Sequence, residues 1–196
     1  CIRDRVYATT GTRLRVRVFA GFDFRETDLH RSDFARHGYG HGVPMGSDLT
    51  AAPAGKAPSF LIRAVRDPDG ANLDRVQIIK GWLDADGETH ERIWDVAVSG
   101  DREIGPDGRS RERVGNTVNV KEASYTNAIG APALGGFWTD PDFDRQERAF
   151  YYVRVIEIPT PRWTTIDAKV FGVELPDDVP TSIQERAYTS PIWYTP

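Results

Sequence analysis

An all-β domain, an antiparallel sandwich with long irregular loops, is the fold class this sequence predicts, and three observations predict it. Residues Thr12 to Phe24 alternate, with Thr12, Leu14, Val16, Val18, Ala20, Phe22 and Phe24 at the even positions and Arg13, Arg15 and Arg17 opening the odd ones. Period two is the pleat of a strand with one buried and one wet face. The 18 glycines and 13 prolines punctuate short apolar runs, the turn chemistry of a chain made of many strands. The run from Ala149 to Ile158 is apolar on both faces, with Phe150, Tyr152 and Ile156 on one and Tyr151, Val153 and Val155 on the other. That pattern belongs to a central strand of a sandwich.

The elements follow in order. After the first strand, whose arginines read as a solvated face, residues 25–58 form a long connection with little regular structure. Ser59 to Arg66 is a strand ending in the turn Asp67-Pro68-Asp69-Gly70. Leu73 to Leu83 is the next, and Asp84-Ala85-Asp86-Gly87 turns it into a hairpin with Arg92 to Val98. Residues 99–122 are polar and loop out, and Ser124 to Ala128 reads as a short strand. Tyr151 then stands where an immunoglobulin-like sandwich places the tyrosine that anchors a corner, and Val153 where an antibody domain has cysteine. Pro159 and Pro161 stiffen a loop just before Arg162 and Trp163. Ala187 to Thr195 closes the fold, with Pro191 making it an edge or bulged strand.

The composition excludes several functions. A net charge of −4 with scattered basic residues argues against non-specific nucleic-acid binding. The one cysteine, Cys1, permits neither an internal disulfide nor a cysteine zinc site. No apolar run reaches membrane-spanning length. The chain opens on Cys1 rather than Met, which reads as a truncation or processing point.

Candidate chemistry is sparse. His37 and His41 in RHGYGHG have metal-ligand spacing only on a helix, and the glycines argue against a helix there. Asp140, Asp142 and Asp144, with Glu147 behind them, present alternating oxygens but lack the glycine and final glutamate of a calcium loop; a solvated turn is the plainer reading. Ser99 has no matched histidine, and no phosphate loop or dinucleotide fingerprint is present. Tyr7, Thr9 and Thr10 precede the first strand, where hydroxyls beside Gly11 form a turn or meet an anion. Arg162 has the planar fork that grips carboxylate, phosphate or sulfate, and Trp163 offers a stacking face. These five residues are the expected contact sites, for substrate or for another domain.

Seven segments carry a resemblance: RVYATTGTRLRVRVFAGFDF, GVPMGSDL, KAPSFLIRAVRDPDGANLDRVQIIKGWLD, GNTV, FWTDPDF, RAFYYVRVIEIPTPRW and IQERAYTSPIWYTP. Together they resemble the C-terminal part of the bacterial domain-of-unknown-function family 3604, related to the polymerase-and-histidinol-phosphatase (PHP) metallohydrolases; CIRDR fits less well. The resemblance implies an upstream metal-binding α/β barrel, with residues 1–11 as its end and linker and residues 12–196 as the C-terminal sandwich. It implies divalent metal ions in that barrel, with no cofactor or metal ligand in this chain. It further implies phosphoesterase-like hydrolysis by the whole protein, an inactive fragment here, and a periplasmic or secreted location. The partners expected are that barrel and an anionic small-molecule substrate, with residues 159–186 reaching toward the active-site mouth. A sandwich parted from its barrel exposes an apolar patch, expected near Tyr7 or Trp163. The reading from another class is a non-catalytic module that binds carbohydrate or protein.

Overall fold

The computed structural model describes residues 6–196. Its strands are β1 (Tyr7–Thr9), β2 (Arg15–Gly21), β3 (Val43–Pro44), β4 (Asp48–Thr50), β5 (Ser59–Val65), β6 (Leu73–Leu83), β7 (Thr89–Val98), β8 (Ala133–Thr139), β9 (Arg148–Glu157), β10 (Thr160–Pro161), β11 (Ser182–Ile183), β12 (Arg186–Thr189) and β13 (Ile192–Thr195). The helices are a 3-10 turn (Glu26–His30), α1 (Phe34–His41) and α2 (Trp163–Phe171). The smaller sheet runs β3-β2-β5-β8. In the larger sheet β9 is central, with β6 and then β7 on one side and β12 and β13 on the other. One core joins the two: Val16 and Val18 of β2 and Phe60 and Ile62 of β5 pack with Val76 and Ile78 of β6 and Tyr151, Val153 and Val155 of β9.

The order is immunoglobulin-like. Strands β2, β5 and β8 take the places of A, B and E, facing β7, β6, β9 and the β12–β13 pair in the places of C′, C, F and G. The corner tyrosine is also present, with a different partner. Tyr151 donates its hydroxyl hydrogen to Asp140 Oδ2 at 2.7 Å, just past the end of β8. Lys80 meets the same oxygen at 2.7 Å, with both side chains out of water. Asp140 is therefore a buried, neutralised carboxylate rather than part of a solvated turn, and Asp142 turns outward to Arg92. The hairpin β6–β7 forms as expected, with Gly87 at φ +83° in its turn. Pro191 separates β12 from β13, yet both still pair with β9. The Thr189 hydroxyl accepts the Val153 N–H at 2.9 Å near that break.

Four further readings are corrected. Residues 25–58 are not structureless: the 3-10 turn and α1 lie there and close a second small core of Phe19, Phe24, Phe34 and Leu61 over the outer face of the smaller sheet. The glycines of RHGYGHG do not prevent a helix, because Gly38 serves its packing. A Cβ at Gly38 would stand 2.3 Å from the Phe19 ring. Ser124 to Ala128 is no strand; Ser124 makes an isolated bridge with Asn119, while β8 lies later, through Gly135 and Gly136. The region after Pro161 is not a loop at its start: Arg162 is the N-cap residue of α2 and Trp163 its first residue. The larger sheet also takes in Tyr7–Thr9, paired antiparallel with β12. Cys1 and the rest of residues 1–5 lie outside the described residues.

Candidate functional site

α2 turns most of its apolar side chains to solvent, and its sequence explains why it stands out. Pro161 ends β10, and Arg162 has extended backbone before the helix. Gly172 closes the helix in the left-handed region at φ +65°, donating its N–H to Ala168 O. The helix is anchored by one face only. Thr165 is its single buried residue, and its hydroxyl donates to Thr181 O at 2.7 Å. Lys169 Nζ reaches Glu122 O at 2.7 Å. Its apolar side chains point to solvent instead: Trp163 is 65% exposed, Ile166 46%, Val170 69% and Phe171 73%, with Val173 just beyond at 58%. Trp163, Ile166 and Val170 are spaced as one helical stripe. Among the described residues no carboxylate lies within 4.0 Å of the Arg162 guanidinium.

A cleft of about 420 Å³ lies beside this helix, lined by Thr12, Asp67, Tyr125, Glu157, Pro161, Ile166 and Glu185 among others. It is acidic. Thr12 Oγ1 donates to Glu157 Oε1 at 2.6 Å. Burial pushes the Glu157 carboxyl up to about 7; the Thr12 hydrogen bond opposes this, while Glu185 and Asp67 add to it. Asp67 is held below the usual carboxylate range by hydrogen bonds from Arg13 and its neighbours. A cleft with this charge suits a cation or a neutral ligand better than an anion. Among the described residues no group of three or more His, Cys, Asp or Glu side chains is placed to hold a metal ion.

The five expected contact residues are not brought into one site. Thr10 reaches the acidic cleft: its hydroxyl contacts Glu185 and accepts the Arg186 N–H at 3.0 Å, so it is engaged in joining β1 to β12. Thr9 is half-buried in β1, in register with Ala187. Tyr7 donates its hydroxyl hydrogen to Leu14 O at 3.1 Å and lines a different groove, over β2 and β5. Arg162 and Trp163 sit together at the start of α2. His37 does lie on a helix with His41, their rings 4.5 Å apart, but its Nε2 faces Asp28 at 3.2 Å.

Sequence reasoning missed a row of rings on the outer face of the larger sheet. Trp193, Phe150, Tyr152 and Tyr188 follow one another across β13, β9 and β12, with centroids 5.3, 6.4 and 6.4 Å apart. Gly81 makes room for the row, since a Cβ there would meet the Phe150 ring at 2.4 Å. Phe150 and Tyr152 at alternate positions of β9 were legible as one face; that the face is wet was not.

The family described as "Protein of unknown function (DUF3604)" matches residues 2–196. No curated protein and no solved structure matches the chain. No helix is long and apolar enough to cross a membrane among the described residues.

Proposed function

We propose, from the premise that the chain belongs to the DUF3604 family, that it is the accessory β-sandwich of a metal-dependent, phosphoesterase-like hydrolase. In this reading α2 docks on the barrel that the PHP resemblance places upstream. The observation that carries it is the outward apolar stripe of α2, Trp163, Ile166 and Val170, with Phe171 and Val173 beside it. A soluble helix ordinarily turns such a stripe inward, and a contiguous exposed patch marks a contact surface. The patch lies at Trp163, one of the two places the resemblance implies. Metal ions and hydrolytic chemistry belong to the barrel, and no step of that chemistry is assigned to residues of this chain. Arg162, next to the patch, contacts the barrel or its anionic substrate, and an exported location belongs to the same proposal.

The test uses the full-length protein. The gene upstream of Cys1 is expected to encode a barrel opening on a His-x-His motif. Val170→Glu with Phe171→Asp is expected to leave the circular dichroism of the sandwich unchanged. It should also expose the junction to limited proteolysis and lower phosphoester turnover about tenfold, the equivalent of ~1.4 kcal/mol. An unrelated upstream region, or a double variant as protease-resistant and active as wild type, sinks the docking. Arg162→Ala with docking intact and turnover unchanged sinks only the substrate contact.

The second reading, a carbohydrate-binding module, is favoured by the ring row from Trp193 to Tyr188. Aromatic faces stack on the apolar faces of sugar rings while flanking polar groups, here Arg148 and Glu91 beside Phe150, take the hydroxyls. Retention on insoluble cellulose, xylan or chitin that Trp193→Ala abolishes would support it; no retention on any of them sinks it.

A further inference from the structure

The outer face of the smaller sheet carries a charge arrangement that no carboxylate among the described residues satisfies. Alternation along β2 turns Val16 and Val18 into the core and Arg15 and Arg17 outward. β5 runs antiparallel beside it, in a register that sets Arg17 directly opposite Arg63 and Arg15 opposite Val65. Like charges directly opposed across a strand pair repel. A stabilising design would place a carboxylate there, as the chain does for nearby Arg13, which meets Asp67 at 3.0 Å and Asp69 at 2.7 Å. Among the described residues no carboxylate lies within 4.0 Å of Arg15, Arg17 or Arg63. The chain as a whole is acidic, at −4, so three uncompensated arginines on one face run against its charge balance.

Arg63 is held in place without being neutralised. Its Nε donates to Leu29 O at 3.0 Å, and its Nη2 donates to Leu29 O and to Arg31 O, the latter at 2.9 Å. The guanidinium lies 4.0 Å from the Phe34 ring centroid. Carbonyl oxygens and a ring face fix the fork but leave it a full positive charge, and no acceptor among the described residues meets its Nη1 hydrogens. Phe34 and Tyr39 of α1 flank the same surface, and Tyr39 is itself set edge-on to Phe19 at 4.8 Å. The groove so formed is about 500 Å³ and is lined by Arg15, Arg17, Arg63, Phe34, Tyr39 and Tyr7 among others.

We infer that this groove binds a small organic anion, a carboxylate, phosphate or sulfate carried on a flat apolar body. The anionic group sits between Arg17 and Arg63, where it converts their repulsion into two charge-assisted contacts. Arg15 extends the positive field along the strand, and the apolar body lies against Tyr39 and the half-exposed Val65. The inference does not depend on the docking of α2, which is on a different element.

Calorimetric titration of the 196-residue chain at low salt tests it, with phenyl phosphate, phenyl sulfate, benzoate and inorganic phosphate as probes. At least one aromatic anion is expected to bind about tenfold more tightly than inorganic phosphate, a gap of ~1.4 kcal/mol. Arg17→Thr is expected to weaken that probe at least tenfold, Arg17→Lys to restore part of the loss, and Arg111→Ala on a distant loop to change nothing. Arg17→Thr should also raise the Tm of the unliganded chain, because it removes the opposed charge. Binding no tighter than in an Arg15→Thr/Arg17→Thr double variant overturns the inference. So does an acidic peptide that binds where none of the small anions does.

Discussion

Between pH 4.5 and about 7, Glu157 holds a proton that the unfolded chain would give up. Its side chain is 2% exposed by residue area, and burial lifts its carboxyl from an ordinary 4.5 to about 7. Between those values folding takes up a proton. The stabilisation is therefore fully present below pH 4.5 and is lost as pH rises through 7. At about 1.4 kcal/mol per pH unit the span from pH 5 to pH 8 is worth roughly 2–3 kcal/mol. Urea unfolding should show stability falling over that interval, and Glu157→Gln, which keeps the neutral shape, should flatten the profile. A variant with an unchanged slope removes Glu157 as the cause. Asp140 shows the opposite solution to burial: Lys80 and the Tyr151 hydroxyl satisfy it, and burial together with the Asp140 charge pushes the Tyr151 phenol well up. Neither environment was legible locally. D-x-D-x-D reads as a solvated turn because its buried cation lies on β6, far back in the sequence, and Glu157 reads as the polar end of a strand.

Elements with a strict period were legible, and those shaped by contact with something distant were not. β2 and β9 follow their alternation, β5, β6 and β7 form where apolar runs end in turn residues, and the Asp-Gly turn at Gly87 joins its hairpin as the turn chemistry requires. β8 hid behind Gly135 and Gly136, poor strand formers. Gly136 is there because Val96 passes so close that a Cβ would meet its Cγ1 at 2.5 Å. α1 hid behind Gly38 for the same reason, with Phe19 as the neighbour. Of the candidate contacts, Arg162 and Trp163 were placed together by adjacency alone, whereas the facing of Arg17 and Arg63 needs the β2–β5 register. Gly108 tests this account of close approach. It has φ +75° and would set a Cβ 2.2 Å from Trp94 Cδ1, whereas Gly87 has a similar φ with open space around it. Gly87→Ala should cost about 1 kcal/mol through its backbone alone. Gly108→Ala should cost roughly 2–4 kcal/mol. It should also speed tryptic cleavage at Arg109 and Arg111, because the loop pinned by the Asp95 N–H to Gly108 O bond at 2.7 Å is released. Equal losses of Tm in the two variants would mean that contact with Trp94 does not hold that loop.

At the scale of the whole molecule, the two sheets cannot be stable separately. The inner face of β5, with Phe60, Ile62 and Ala64, and that of β9, with Tyr151, Val153 and Val155, belong to one continuous core. Stripping either sheet away would expose the other's buried face along its full length. Lys80 and Asp140 add a polar tie between them, since Lys80 belongs to β6 and Asp140 follows β8 in the other sheet. α2 lies outside this unit, with Thr165 its single buried residue. Unfolding in urea is thus expected to be one cooperative transition, with far-ultraviolet dichroism and tryptophan fluorescence superimposed. Ile62→Ala in the smaller sheet and Val155→Ala in the larger should lower that single midpoint without splitting it, the isoleucine variant losing about 2–5 kcal/mol of stability. Val170→Glu on α2 should leave it nearly where it was, because that side chain is already in water. Two separated transitions, each moved by only one of the core variants, would show two folding units. The sandwich would then be a pair of weakly joined sheets rather than the single scaffold on which α2 and the arginine groove are displayed.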